Sequence, residues 1–75
     1  MRYMVVIERG PTSYSAYVPD LPGCVAAAET LEETRRLIQE AVEFHLKTMR
    51  ADGDPIPEPS TISEYVEAAG GVDAA

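Results

Sequence analysis

Two hydrophobic patterns divide the chain, a two-residue period in the first third and a helical period in the middle. Residues 2–8 are β-branched and aromatic and are apolar on both faces, which is typical of a strand inside a sheet. A turn at residues 9–12 contains Gly10 and Pro11, and residues 13–18 then alternate between apolar and polar side chains. These stretches predict a hairpin with a half-exposed second strand.

A rigid turn, which we call the elbow, follows the hairpin at residues 19–24. Pro19 and Pro22 fix φ at about −65° and keep the residues before them out of the helical region, whereas Gly23 can take a positive φ without steric cost. Residues 24–28 are small and fit a strand or a helix by periodicity alone. We predict a third strand there because a helix start signal follows directly.

A long amphipathic helix is predicted from Thr30 to about Asp52. Thr30 and Glu33 form a capping box, in which the threonine hydroxyl accepts from the Glu33 amide and the Glu33 side chain returns to the Thr30 amide. Gly53 supplies a left-handed cap and Pro55 forbids continuation. Glu32 with Arg36 and Glu43 with Lys47 are expected ion pairs.

The apolar face of this helix covers about half of its circumference, which is wider than packing on one sheet requires. It consists of Leu31, Leu37, Ile38, Ala41, Val42, Phe44, His45, Leu46 and Met49. Beyond the helix, prolines at Pro55, Pro57 and Pro59 make residues 54–59 an extended connector. Residues 61–67 alternate imperfectly but predict a fourth strand, and residues 70–75 read as a flexible tail.

The element order predicts an α+β fold, a two-layer β-β-β-α-β domain over residues 1–69 with one long helix on one face. A right-handed helical crossover places the fourth strand parallel to the first, which gives the sheet order 3-2-1-4 with strand one in the interior. One helix covers only one face of this sheet. The uncovered face and the wide helix arc therefore predict a homodimer or higher homo-oligomer.

The charge of the chain limits the kinds of partner that it is expected to bind. The 75 residues include 13 acidic and 6 basic side chains, a net charge of −7, and every lysine and arginine lies at or before Arg50. This charge disfavours direct DNA or RNA binding and suits a basic partner, although acidic surfaces also simply keep small domains soluble. The single cysteine, Cys24, excludes an intrachain disulfide, and we find no signal peptide or membrane span, so we expect a cytoplasmic protein.

Catalytic chemistry is sparse, and we predict no catalytic, cofactor-binding or metal-binding residues. His45 has no carboxylate or thiolate at helical spacing, so a buried or interface histidine is favoured over a catalyst. Cys24 lies six residues before the helix cap without a nearby lysine or arginine, which favours a packing role. Glu29, Glu32 and Glu33 cluster at the helix start, where capping and the helix dipole already account for them.

Four blocks of this sequence resemble the HicB family of antitoxins. The blocks are Tyr14 to Cys24, Thr30 to Glu33, Ile38 to Val42 with His45 and Leu46, and Gly53 to Pro59, so the resemblance spans about residues 3–66. It implies a partial RNase-H-like fold without nuclease activity. It also implies that the chain binds a HicA-type messenger-RNA-cleaving toxin and covers the toxin's catalytic histidine and RNA-binding surface.

Two departures from the family pattern matter. Many members carry a C-terminal DNA-binding domain, and this chain ends before one begins, so we expect no DNA binding by this chain alone. Ala28 stands where the family often has glycine, so the turn into the helix is expected to differ slightly. The residues that define the motif are Pro19, Asp20, Leu21, Pro22, Gly23, Cys24, Thr30, Glu33, Gly53, Pro55 and Pro57.

Our candidate partner-binding residues are Asp20 and Leu21, at the tip of the elbow, and Glu58 and Glu64, in the acidic C-terminal part. Two other classes of function stay open at this point. A small dimeric scaffold or binding module without a cognate toxin predicts no basic neighbour with a histidine in an adjacent reading frame. An enzyme predicts an activity that alanine at Cys24 or His45 abolishes without unfolding.

Overall fold

The computed structural model describes residues 1–69 and has three strands followed by one helix. The elements are β1 (Val6–Arg9), β2 (Tyr14–Tyr17), β3 (Val25–Ala28) and α1 (Leu31–Asp52). The strands form an antiparallel sheet in the order β1-β2-β3, and α1 packs over β3 and β2 but not over β1. The predicted α+β class is confirmed, although β1 begins four residues later than the sequence pattern indicated.

The register of the sheet sorts its side chains into two faces. One cross-strand row lies on the face that packs against α1, and it consists of Ile7, Ala16 and Ala26. The neighbouring row has the opposite orientation, because successive residues of a strand point to opposite faces. That row, on the side of the sheet away from α1, consists of Val6, Tyr17 and Val25.

The elbow folds back on itself and inserts Leu21 into the core. The Leu21 amide donates to the Val18 carbonyl at 3.0 Å, the Cys24 amide donates to the Leu21 carbonyl at 3.0 Å, and the Val18 amide donates to the Cys24 carbonyl at 3.2 Å. Gly23 has a φ of 85°, in the left-handed region that favours glycine. Leu21 is 0% exposed and packs in one cluster with Ala16, Val18, Cys24 and Ile38.

Both ends of α1 are capped, but the N-terminal cap is half of the predicted capping box. The Thr30 hydroxyl accepts from the Glu33 amide at 3.1 Å, whereas the Glu33 carboxylate turns to Arg36 instead of to the Thr30 amide. Arg36 also pairs with Glu40 at 2.8 Å, so the predicted pairing of Arg36 with Glu32 is wrong. The guanidinium has two closer carboxylates on its own helix face, because residues three and four apart are neighbours there.

Gly53 ends the helix with a φ of 75°, and the following amide of Asp54 donates to the Met49 carbonyl at 2.9 Å. A Cβ atom at Gly53 meets nothing within 4 Å, so a side chain there costs backbone strain alone. Replacing Gly53 with alanine is expected to lower the free energy of unfolding by about 1 to 2 kcal/mol and Tm by about 4 to 8 °C. Asparagine tolerates this conformation, so Gly53→Asn should lose less; equal losses for both variants in a thermal melt would contradict this account.

Residues 61–67 do not form the predicted fourth strand. They have no regular secondary structure, and within the described residues β1 pairs only with β2. The order 3-2-1-4 therefore holds for its first three strands, and strand one is an edge strand rather than an interior one. A β-branched sequence forms a strand only where a neighbouring strand and burial stabilise it. Neither is present for residues 61–67 in the described part of the chain, since Ile62 is 80% exposed and Val66 is 86% exposed. The predicted tail, residues 70–75, lies outside the described residues.

Candidate protein-binding surfaces

A hydrogen-bonded clasp joins the elbow to the beginning of the C-terminal segment, which we define as residues 60–69. The Asp20 carboxylate accepts from the amide and hydroxyl of Thr61, at 3.0 and 2.6 Å, and from the amide and hydroxyl of Ser60, at 3.0 and 3.2 Å. These donors, the Thr61 hydroxyl first, lower the pKa of Asp20 to about 2. Asp20 is therefore already engaged within the chain.

A second contact fixes the proline-rich connector against the sheet. The Tyr3 hydroxyl donates to the Pro57 carbonyl at 2.5 Å, over a sequence separation of 54 residues. Tyr3 is itself partly buried against the core, so the connector lies beside the residues that precede β1. The alternating prolines keep the connector extended between these two anchors.

The clasp gives a pH-dependent prediction. A carboxyl with a lower pKa in the folded protein stabilises that state above its ordinary pKa and loses this contribution as the pH falls through the lower value. Between pH about 4 and about 2, we expect the amides of Ser60 and Thr61 to lose their protection from hydrogen exchange while the core amide of Cys24 keeps its own. Asp20→Asn should abolish this pH dependence. A transition that persists in this variant would show that another group controls the segment.

The sequence-predicted partner-binding residues divide into two groups. Leu21 is fully buried, so the expectation that it touches a partner is replaced by a core role, because the closed elbow turns its side chain inward. Asp20 likewise serves the internal clasp. Glu58 and Glu64 are exposed, as are Asp52, Asp54 and Glu67 in the same acidic part of the chain. Their binding roles stay predictions.

An apolar surface, which we call the outer sheet face, lies on the side of the sheet opposite α1. It consists of Val6, Tyr17 and Val25, which are cross-strand neighbours in one row. Tyr17 is 42% exposed and Val25 is 63% exposed. The next row on the same face, Glu8, Ser15 and Ala27, is mostly polar. An apolar centre beside polar groups is the usual composition of a protein interface.

A second apolar surface, which we call the helix groove, opens where α1 leaves β1 uncovered. This cavity of about 700 Å³ is lined by Tyr3, Val5 and Ile7 on the strand side and by Ile38, Val42 and Leu46 on the helix side. Its polar lining consists of Arg2, Arg35, Gln39 and Glu43. One wall of the groove therefore continues from the outer edge of β1. No strand of the described chain pairs with this edge, so an added strand can form hydrogen bonds there.

Of the two residues considered for catalysis, Cys24 is placed as a packing residue. Cys24 is buried in the core cluster, and burial raises the pKa of its thiol, which keeps the nucleophilic thiolate scarce. His45 is partly buried along α1. Within residues 1–69, no three His, Cys, Asp or Glu side chains are placed to hold a metal ion. In the same part of the chain, no helix has the length and apolar character needed to cross a membrane.

A family described as "HicB_like antitoxin of bacterial toxin-antitoxin system" matches residues 3–74, nearly the whole chain. The chain belongs to this HicB-like antitoxin family. The resemblance seen in the elbow, the helix start and the proline-rich connector is therefore confirmed.

Several curated relatives of this HicB-like chain are similar over most of its length. It is 36% identical over 66 residues to an uncharacterized 14.9 kDa protein of Haemophilus phage HP1, which covers 88% of this chain and 50% of the phage protein. It is 34% identical to a protein named Antitoxin HicB 2 from Photorhabdus laumondii, over 89% of this chain and 49% of that one. A UPF0150 protein of Helicobacter pylori is 45% identical over 63% of this chain and 65% of its own length. The HicB-like chain thus spans about half to two thirds of these relatives.

The fold has a solved counterpart in a chain from the structure titled HicA3 and HicB3 toxin-antitoxin complex. The two chains superpose with a TM-score of 0.64 and are 26% identical, and the match covers 79% of this chain and 72% of the other. The three-stranded sheet with one long helix is therefore the architecture of a HicB-like domain.

Proposed function

We propose that this chain is an antitoxin that binds a HicA-type toxin in a stoichiometric complex and blocks cleavage of messenger RNA. The observation that carries the proposal is its likeness, over 79% of its length, to a chain from a HicA3 and HicB3 complex. Membership of a HicB-like antitoxin family supports the same role. In this proposal the chain acts by binding rather than by catalysis, in the cytoplasm where the toxin's substrate occurs.

We place the toxin on the outer sheet face. Val6, Tyr17 and Val25 offer a partly exposed apolar centre on the one face of the sheet that no element of the described chain covers. Aromatic residues at the centre of an interface commonly contribute most of its binding free energy, and Tyr17 occupies the middle strand. Bound there, the antitoxin covers the catalytic histidine and the RNA-binding surface of the toxin by steric exclusion.

The negative charge of the chain supports this choice of partner. A surface that binds RNA presents lysine and arginine, and a net charge of −7 attracts such a surface while it repels RNA and DNA. Glu58 and Glu67 are exposed in a part of the chain whose sequence has no lysine or arginine to neutralise them. We propose that these carboxylates accelerate encounter with the toxin, and that the chain alone does not bind nucleic acid.

The double variant Glu58→Gln, Glu67→Gln tests this electrostatic part. We expect the association rate with the toxin to fall by about 3-fold to 10-fold at low salt, with a smaller change in the dissociation rate. The difference should disappear at about 0.5 M salt, where charges more than a few ångströms apart are screened. An unchanged rate at low salt would contradict the steering role without affecting the outer sheet face.

Co-expression tests the proposal as a whole. The partner to use is a basic chain of about 60–80 residues with a histidine, encoded in a reading frame adjacent to this one. We expect growth arrest by that chain alone, relief of the arrest by co-expression, and co-purification of the two proteins. Absence of both relief and complex would favour the alternative, a small dimeric HicB-like scaffold without a cognate toxin.

Exposed apolar surface supports a homodimer, which we propose as the assembly of this chain. Among the described residues, Ile62 is 80% exposed and Val66 is 86% exposed, and the helix groove exposes further aliphatic side chains. Surplus apolar surface of this kind commonly marks a contact between proteins. A stable species of 8.1 kDa in sedimentation at micromolar concentration would contradict this assembly.

A further inference from the structure

Within the described residues, the helix groove and the C-terminal segment each have apolar side chains that the rest of the chain does not fully cover, and the two could fit each other. The helix groove ends at the outer edge of β1, and a groove of this kind accepts an extended strand. The C-terminal segment has no regular secondary structure, and its β-branched, apolar side chains Ile62 and Val66 are exposed. The edge of β1 beside the groove has no strand paired with it, and the C-terminal segment has a strand-like sequence that is not part of a sheet.

We propose that residues 61–67 of one copy add as a strand to the β1 edge of a second copy, with Ile62 and Val66 in its helix groove, and that the exchange is reciprocal. The contact is then isologous and closes as a two-fold dimer. This contact rests on the homodimer proposed above and names the surfaces that form it, which are residues 61–67 and the helix groove. It does not depend on toxin binding, because the outer sheet face stays uncovered.

The alternation of residues 61–67 suits the groove in the placement of its apolar side chains and its charge. In a strand, Ile62, Glu64 and Val66 point to the same side. Glu64 interrupts the apolar pattern, which weakens the sequence as a strand over an entirely apolar core. The groove, however, is lined by two arginines, Arg2 and Arg35, and by one carboxylate, Glu43, as well as by aliphatic side chains, so a carboxylate between two apolar residues finds an excess of positive charge there. This assignment places Glu64 in a self-contact.

The contacts of the C-terminal segment favour the groove of a second copy over its own groove. The clasp holds Thr61 at Asp20, and a small second cavity places residues 61–63 beside residues 2–4, which precede β1. None of the described residues beyond Ser63 lines the helix groove, and residues 64–69 are exposed. The segment therefore leaves the body of the protein at the beginning of β1.

Sedimentation equilibrium on the full chain and two variants tests this contact. We expect the wild type to be a dimer at micromolar concentration and the double variant Ile62→Ser, Val66→Ser to dimerise at least about 100-fold more weakly. Phe44→Ser is the matched control, because Phe44 is also exposed, at 71%, but lines neither surface. A monomeric wild type, or a dimer that only Phe44→Ser weakens, would overturn the proposal.

Charge reversal identifies exchange between copies. Glu64→Arg and Arg35→Glu, each at an exposed position, should separately weaken dimerisation by about 10-fold or more. A mixture of the two variants should form a heterodimer, because one of its exchanged strands keeps the native pair of charges and the other joins the introduced arginine to the introduced glutamate. Dimers that resist both reversals, or reversals that the mixture does not rescue, would contradict the assignment.

Discussion

Leu21→Ala is expected to unfold a large fraction of the protein near physiological temperature. Leu21 is 0% exposed at the centre of the core cluster, and removal of a fully buried leucine side chain costs about 2 to 5 kcal/mol. A domain of 75 residues has a total stability of about 4 to 11 kcal/mol, so this single loss is of comparable size. The backbone hydrogen bonds of the elbow join Leu21 to Val18 and Cys24, so loss of the leucine side chain should also weaken the packing of these two residues.

Urea unfolding followed by circular dichroism measures this loss. Leu21→Met is the matched control, because it keeps the volume and apolar character of the side chain and should cost less than about 1.5 kcal/mol. A loss below about 1 kcal/mol for Leu21→Ala would mean that the elbow is not organised around Leu21. This outcome would reopen Leu21 as a partner-binding residue.

Tyr17→Ala is expected to weaken toxin binding by about 30-fold or more. Tyr17 lies in the central strand of the outer sheet face, and truncation of a central aromatic residue in an interface commonly costs at least about 2 kcal/mol. The loss should appear mainly as faster dissociation, because apolar contacts form after encounter. Surface plasmon resonance with the immobilised toxin separates the two rates.

Two controls separate a loss of toxin binding from a loss of folding and from a general effect of removing an aromatic side chain. Tyr17 is 42% exposed and outside the core cluster, so the variant should remain folded, which a thermal melt checks. Phe44→Ala removes another exposed aromatic side chain, from α1, and should leave the toxin affinity within about twofold. Equal effects of the two variants would place the toxin elsewhere than on the outer sheet face.

The parts of the fold governed by local rules could be predicted from the sequence. Thr30 and Gly53 marked both ends of α1 because caps depend on residues within one helical turn. The hairpin followed from alternation and turn residues, and the third strand followed from the helix start signal directly after it. The elbow was predicted as a rigid turn, but the direction of Leu21 depends on three backbone hydrogen bonds that no spacing rule encodes.

The contacts between distant parts of the chain could not be predicted. Asp20 meets Ser60 and Thr61, which lie 40 and 41 residues further along, and no local pattern links an aspartate in a turn to two hydroxyl residues after a proline-rich connector. The fourth strand was predicted because residues 61–67 suit a strand, yet β propensity depends on a neighbouring strand and on burial. The same exposed residues define the proposed contact between copies.

The most direct test of the antitoxin function is a titration of this chain into a messenger-RNA cleavage assay with the purified HicA-type toxin. At toxin concentrations well above Kd, we expect cleavage to fall in proportion to the added chain and to stop at about one chain per toxin. Cleavage that continues undiminished at about tenfold excess of folded chain would contradict the account.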